Sequence, residues 1–214
     1  MPSDAHARVW IFDLDDTLHN ASAHVFPHIS RSMTQYMMTY LQMSEAEAGV
    51  LRRRYWQKYG ATLHGLIRHH GIDPQHFLHH THQFPDLKNM VLKTRSLRET
   101  LRKLPGRKAV FTNAPMVYAE AVLRLLKIRN LFEAVFSIES TRFHPKPSNP
   151  GFLRLLKMLR VEPTRCVMVE DSLPALRTAR KLGMKTVYVN PNARRPSFVD
   201  VLIPSVLALP RTQL

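Results

Sequence analysis

The chain has 214 residues, 44% of them hydrophobic and 22% charged, which suits one large domain or a core with a modest insertion and excludes wholesale disorder. Its 31 Lys and Arg against 16 Asp and Glu give a formal net charge of +15 at pH 7, so a nucleic-acid partner has to be weighed. A single cysteine, Cys166, excludes an intrachain disulfide, and without an apolar run of signal-peptide or membrane-spanning length we expect a cytoplasmic protein with no membrane partner.

The first predicted element is a buried strand, Val9 to Phe12, that runs directly into acidic residues. A short apolar run closed by polar residues is typical of a parallel strand covered on both faces. Side chains alternate along a strand, so Asp13 and Asp15 leave its end on the same side. Two crowded carboxylates need a cation or a proton between them, and Mg²⁺ prefers oxygen ligands and often binds phosphate. This stretch favours a Mg²⁺-dependent phosphoryl-transfer site, with a surface turn after an edge strand as the alternative.

Residues 19–93 show helical signals and no convincing strand. Ser44 and Glu47 form a capping box, and Gly60 ends the helix that it begins. Asp73 is expected to cap a later helix whose first residue is Pro74. Together with apolar periodicity, these signals predict four helices, at about 23–42, 45–59, 62–70 and 74–82.

From residue 94 onward helices and strands alternate. Helices are predicted at 94–104, 115–128, 150–159 and up to 182, and strands at 108–112, 134–138, 165–169, 185–189 and 199–203. Such alternation implies right-handed crossovers and a doubly wound, Rossmann-like parallel sheet. The predicted fold class is therefore α/β, with a core of residues 1–18 and 94–214 and a small all-helical domain, 19–93, inserted after the first strand.

Polar residues follow four of these strands at the point where each strand ends. Because ligands bind beyond the carboxyl ends of parallel strands, we expect these side chains to share one crevice. They include carboxylates, a hydroxyl and an ammonium, which are the groups that phosphoryl transfer needs as nucleophile, acid/base, metal cradle and counter-charge. The residues are Asp13, Asp15, Thr112, Asn113, Lys146, Glu170 and Asp171.

Taken in order, these motifs resemble the haloacid dehalogenase-like hydrolase superfamily, in its phosphatase branch with a helical cap after the first strand. The four signatures are Asp13-Leu14-Asp15-Asp16-Thr17, Thr112-Asn113, Lys146-Pro147 and Glu170-Asp171. Three further stretches, 111–114, 144–147 and 59–66, resemble the pyrimidine 5′-nucleotidase family. The resemblance implies that residues 19–93 form a cap over the site.

The resemblance also implies a role for each polar residue. Asp13 would attack phosphorus and form an aspartyl phosphate, and Asp15 would act as general acid and then general base. Thr112 and the Asn113 amide would bind the transferring phosphoryl oxygens, and Lys146 would neutralise the charge between Asp13 and phosphate.

The implied cofactor is Mg²⁺. Its ligands would be the Asp13 carboxylate, the Asp15 backbone carbonyl and Asp171, with Glu170 supporting directly or through water. The presence of Asp15 argues against the dehalogenase branch, which needs no general acid there. The sequence contains no Gly-x-x-x-x-Gly-Lys loop, which disfavours a P-loop kinase or ATPase.

The predicted activity is hydrolysis of a small phosphomonoester, with a pyrimidine nucleoside 5′-monophosphate such as UMP or CMP as the expected substrate. The cap would select the substrate, so His19, Asn20 and His24 are candidates for ribose or base contacts, or else polar groups of a hinge. His76 with His80, and His79 with His82, have helical metal-ligand spacing, but without acidic or cysteine partners we interpret them as surface histidines.

Three alternatives stay open at this point. A sugar-phosphate phosphatase or a phosphomutase would use the same core. A basic nucleic-acid-binding protein is disfavoured, because the Lys and Arg at 52–54 and 88–108 accompany no nucleic-acid motif and are typical of a solvated helix face. The sequence leaves the oligomeric state open.

Overall fold

The computed structural model describes residues 8–212 and contains a single six-stranded parallel sheet. The strand order is β3-β2-β1-β4-β5-β6, which confirms the predicted α/β class. The strands are β1 (Val9–Phe12), β2 (Arg107–Phe111), β3 (Ala134–Phe136), β4 (Cys166–Glu170), β5 (Lys185–Val189) and β6 (Val201–Ile203).

All the predicted helices are present, with ends shifted by a few residues. The short helix α5 and three 3₁₀ turns, at 129–131, 163–165 and 206–211, were not predicted. The helices are α1 (Val25–Leu41), α2 (Glu45–Tyr59), α3 (Thr62–His70), α4 (Pro74–Thr81), α5 (Leu87–Met90), α6 (Leu97–Lys103), α7 (Met116–Leu125), α8 (Asn149–Leu159) and α9 (Leu173–Lys181). Within residues 8–212 none of these helices is long and apolar enough to cross a membrane.

The sheet is covered on both faces, and the alternation of side chains along β1 shows how. Trp10 and Phe12 pack into one apolar cluster together with α6 and α7. Val9 and Ile11 point to the other face and pack against α8 and α9. All four side chains are buried, as a central parallel strand requires. Cys166 is also buried, and burial raises the pKa of its thiol to about 12, so it is an inert core residue.

The first five helices after β1, residues 25–90, are called the helical segment below. They enclose an apolar cluster of their own, which includes Tyr36, Leu66 and Phe77. The Ser44–Glu47 capping box forms as predicted, with the Glu47 carboxylate accepting from the Ser44 N–H at 2.9 Å. The segment therefore has an apolar cluster of its own, and Val25 and Ile29 of α1 also pack into the cluster that covers the sheet.

Strand register brings the polar strand ends level with one another. Phe12 pairs with Val110 on one side and with Val169 on the other. The Asp13 N–H donates to the Val169 carbonyl at 3.0 Å, so Asp13 and Glu170 leave adjacent strands at the same height. The polar residues expected to lie together beyond the carboxyl ends of β1 and β4 are therefore adjacent in the structure.

Candidate active site

The centre of the candidate site is the Lys146 ammonium, which is held between two carboxylates. Its Nζ donates to Asp13 Oδ1 and to Glu170 Oε2, each at 2.6 Å. All three side chains are buried. Burial alone would lower the pKa of Lys146, but the two carboxylates outweigh it and raise that pKa, so the group is an ammonium. These are short, charge-assisted hydrogen bonds in a site that excludes most water.

Two contacts place the Lys146 backbone. The Asn113 side chain accepts from the Lys146 N–H at 2.7 Å and donates to the Lys146 carbonyl at 3.0 Å. Gly60, at the end of α2, lies against the same peptide with φ +77°. A Cβ at Gly60 would stand 2.8 Å from the Lys146 carbonyl oxygen and 2.6 Å from Pro147 Cδ. Only glycine allows the helical segment to approach the Lys146 loop this closely.

Three carboxylates form a cluster beside the ammonium. Oxygens of Asp13, Glu170 and Asp171 all lie within 4.8 Å of one another. The pKa of Asp13 is raised to about 7, chiefly by burial and further by the charges of Asp171 and Asp15. The Lys146 ammonium lowers this pKa but offsets only part of the rise. Burial and Asp13 likewise raise the pKa of Glu170 well above its usual range. A divalent cation would relieve this repulsion, and a set made only of carboxylate oxygens fits Mg²⁺.

Asp15 lies apart from the ammonium and has different partners. Its Oδ1 accepts from the Tyr118 hydroxyl at 2.6 Å and lies 2.9 Å from His19 Nε2. Burial and Asp15 raise the pKa of Tyr118 above its usual range, so the phenol keeps its proton and donates. The turn that follows Asp15 is fixed by Asp16, whose φ is 60° and whose carboxylate accepts from the Ser22 N–H at 2.8 Å.

Thr112 and Asn113 lie at the end of β2, as predicted. Thr112 is buried, and its Oγ1 accepts from the Ala114 N–H at 3.0 Å, which leaves the hydroxyl proton for another acceptor. Both polar atoms of the Asn113 side chain bond to the Lys146 backbone. Its backbone N–H, the group expected to bind phosphate, donates to no acceptor among residues 8–212.

The three candidate specificity residues have different environments. His19 is buried and contacts Asp15 and Tyr118. Asn20 is exposed, and its Oδ1 accepts from the Ala23 N–H at 3.1 Å. His24 is exposed at the start of α1. The structure therefore brings His19 to the carboxylates, whereas Asn20 and His24 lie in the turn that leads into α1.

Several histidines of the helical segment contact tyrosine hydroxyls. His76 Nδ1 lies 2.8 Å from the Tyr36 hydroxyl, and His80 Nε2 lies 3.4 Å from that of Tyr40. His76, His79 and His80 are exposed, in line with their interpretation as surface residues. For His82 that interpretation is wrong, because its ring is half-buried and packs on Phe84 and Tyr118. In the part of the chain that the structure describes, Asp13, Glu170 and Asp171 form the one cluster of three or more side chains able to hold a metal ion.

Sequence reasoning missed two residues of the site. Tyr118, on α7, hydrogen-bonds an aspartate 103 positions earlier, and no local pattern marks that contact. Thr17 Oγ1 donates to Asp171 Oδ1 at 3.3 Å. Thr17 belongs to the first motif, so its position was visible, but its partner at the end of another strand was not.

Comparison with known proteins places this arrangement in a family. The chain matches the haloacid dehalogenase-like hydrolase family over residues 10–189. Fructose-1-phosphate phosphatase YqaB of Escherichia coli (strain K12) is 35% identical over 95 residues, which are 44% of this chain and 50% of that protein. Phosphate metabolism protein 8 of Saccharomyces cerevisiae is 26% identical over 197 residues, which are 85% of this chain and 61% of that protein. The chain thus spans about half to three-fifths of the length of these curated relatives.

Solved structures show the same fold. A HAD phosphatase from Thermococcus onnurineus has a TM-score of 0.67 at 20% sequence identity, with 95% of this chain and 96% of that chain covered. An identity this low supports a shared fold and nothing finer. Haloacid dehalogenases are also among the structures with this fold, so the chemistry has to be argued from the site residues.

Proposed function

Because the chain belongs to the haloacid dehalogenase-like hydrolase family, we propose that it hydrolyses a small phosphomonoester through an aspartyl phosphate on Asp13. The proposal is carried by one observation, the different environments of the two aspartates of the first motif. Asp13 contacts a buried ammonium, whereas Asp15, two residues later, contacts a phenol and an imidazole. One carboxylate is thus arranged to attack an anion, and the other to exchange a proton.

The reaction would proceed in two steps. An Asp13 oxygen bonds to phosphorus while the bond from phosphorus to the leaving oxygen breaks, and Asp15 gives its proton to that oxygen. Water then attacks phosphorus, Asp15 takes a proton from the water, and Asp13 is released with inorganic phosphate. Lys146, with Thr112 and the Asn113 amide, would offset the negative charge of the transferring group.

The metal proposed for this site is Mg²⁺. When bound it would supply positive charge to the phosphoryl oxygens. Asp13, Asp171 and the Asp15 backbone carbonyl would hold it, with Glu170 in support. Thr17 would orient Asp171 through its 3.3 Å hydrogen bond.

The helical segment is proposed to act as the cap that excludes water and selects the substrate. One point of contact with the core is Gly60, which lies on the peptide of Lys146. The three stretches that resemble pyrimidine 5′-nucleotidases meet near this contact, because Asn113 braces Lys146 and Gly60 packs on Lys146 and Pro147. The proposed substrate, a pyrimidine nucleoside 5′-monophosphate, rests on the resemblance of these stretches.

A sugar phosphate is the second candidate substrate. It is favoured by the 35% identity, over 95 residues, to an Escherichia coli protein named for fructose 1-phosphate. Both candidates place the same phosphate at Asp13, so they differ only in what the cap contacts.

The test is phosphate release from a panel of UMP, CMP, their deoxy forms, AMP, GMP, several sugar phosphates and phosphoglycolate, with Mg²⁺ and with a chelator. We expect metal-dependent release, highest on UMP and CMP. Highest release from a sugar phosphate would overturn only the substrate proposal. A folded protein that releases phosphate from none of them would overturn the hydrolase proposal, and conversion of one sugar phosphate into its isomer would identify a mutase.

A further inference from the structure

Asp15 receives its hydrogen bonds on one oxygen only. The Tyr118 hydroxyl and His19 Nε2 both meet Oδ1, at 2.6 and 2.9 Å. Within residues 8–212, Oδ2 has no hydrogen-bond partner, and the side chain is 13% exposed. One edge of this carboxyl is therefore fixed, and the other is open to a bound molecule.

The tautomer of His19 follows from its surroundings. The ring is fully buried, and its Nδ1 has no hydrogen-bond partner. A proton on Nδ1 would bury an unpaired N–H and would set the Nε2 lone pair against the Asp15 carboxylate. A proton on Nε2 avoids both costs, so His19 donates to Asp15, as Tyr118 does.

We infer that Tyr118 and His19 are positioning residues that orient Asp15 as the acid for the leaving group. Two donors occupy Oδ1, so the proton that Asp15 gives away resides on Oδ2, on the open edge. It passes from Oδ2 to the leaving oxygen as the bond from that oxygen to phosphorus breaks and the bond from phosphorus to Asp13 forms. This inference rests on the proposed function.

Both positioning residues are tied to the helical segment. His19 lies on the connection from β1 to α1. The ring of Tyr118 packs on Phe84 and His82, with centroids 5.1 and 6.2 Å away, on the connection from α4 to α5. The connection that enters the segment and a loop within the segment therefore both reach the side-chain contacts of Asp15.

The test compares kcat/KM for two classes of substrate, because kcat/KM reports the step in which Asp15 acts as acid. One class is the best alkyl phosphate of the panel, whose alkoxide needs a proton to leave. The other is p-nitrophenyl phosphate, whose phenolate leaves without one. For Tyr118→Phe we expect kcat/KM to fall about tenfold on the alkyl phosphate and less than about twofold on the aryl phosphate, a fraction of the 10²–10⁴ that general acid catalysis supplies.

Further variants separate positioning from a merely structural role. His19→Ala should show the same selective loss, and His19→Gln should recover part of it, because the Gln amide can donate to Oδ1. Tyr36→Phe is the matched control, since it removes another buried phenol that contacts a histidine, and it should leave both rates unchanged. If Tyr118→Phe fails to fold, the His19 pair decides the matter.

The variant Asp15→Asn distinguishes failure of the positioning inference from failure of the proposed function. In one outcome, Asp15→Asn loses much of its kcat/KM on the alkyl phosphate alone, while the Tyr118 and His19 variants change kcat/KM equally on both substrates. That combination overturns the positioning role and keeps the proposed function. Equal losses on both substrates in Asp15→Asn overturn the acid role of Asp15 and this inference with it. Absence of phosphate release by the unaltered protein overturns both.

Discussion

Polar side chains are buried at the strand ends of the sheet, whereas in the helical segment many of them are exposed. At the strand ends Asp13, Lys146 and Glu170 are buried, charged and bonded to one another. In the helical segment the polar contacts of Tyr40 and His80 lie at the surface. A buried charge is stable only while its partner is present, whereas an exposed group can exchange its partner for water. Substitutions at the strand ends should therefore have far larger effects.

Asp13→Asn should have the largest effect on activity. The amide keeps the shape and can still accept from Lys146, but it cannot attack phosphorus, so turnover should fall by on the order of 10³-fold or more while the fold is retained. Phosphate release and circular dichroism measure the two outcomes. Asp73→Asn, at an N-cap that tolerates either residue, should change neither. Activity retained in Asp13→Asn would mean that the nucleophile is another residue.

Lys146→Met should have the largest effect on stability. It leaves two buried carboxylates without their counter-charge, which should cost about 3–5 kcal/mol of unfolding free energy. Urea denaturation in the presence of a chelator measures this loss. The matched control is Lys108→Met, because among residues 8–212 the Lys108 ammonium has just two hydrogen-bond partners, the carbonyls of Leu104 and Gly106 at 2.6 and 3.2 Å. It should cost about 1 kcal/mol, and equal losses in the two variants would contradict the coupling of the buried charges.

His82, between the two regions, should make stability depend on pH. Burial lowers the pKa of this half-buried imidazole to about 4, although Asp15 opposes the shift. The unfolded chain, with a pKa of about 6.5, binds more protons between those values, so the contribution of His82 is complete above about pH 6.5 and is lost as pH falls toward 4.

His82→Phe should remove this dependence. Between pH 7 and pH 5 the unaltered protein should lose about 1 to 2 kcal/mol more unfolding free energy than the variant. Urea denaturation at the two pH values measures the difference. His24→Asn, at an exposed position, should follow the unaltered protein, and an unchanged slope in His82→Phe would show that other groups determine it.

Ser44→Ala should have the smallest effect. It removes the hydroxyl of the capping box at the start of α2, which should cost about 1 kcal/mol of unfolding free energy and leave activity unchanged. Ser32→Ala, which removes a hydroxyl bonded to the His28 carbonyl within α1, should cost less. A loss of several kcal/mol in Ser44→Ala would remove the contrast between the two regions.

Local signals sufficed to predict most of the fold. The apolar run of β1, the capping box at Ser44 and the helix end at Gly60 each depend on a few neighbouring residues, and each occurs where the sequence indicates. The order of strands and helices then leaves few sheet topologies, because crossovers between parallel strands are right-handed. The same reasoning gathers the polar strand ends at one edge of the sheet.

The contacts between distant residues were decided only by the tertiary structure. Asn113 bonds to the Lys146 peptide, Gly60 packs on it, and Tyr118 donates to Asp15 across 103 positions. Strand and helix signals repeat over two to four residues, so they fix which face a side chain occupies but not which side chain from another element lies opposite. The sequence by itself thus determined the elements, the family and the polar groups at the strand ends. Packing decided which of those groups touch, because that depends on how whole elements lie against each other.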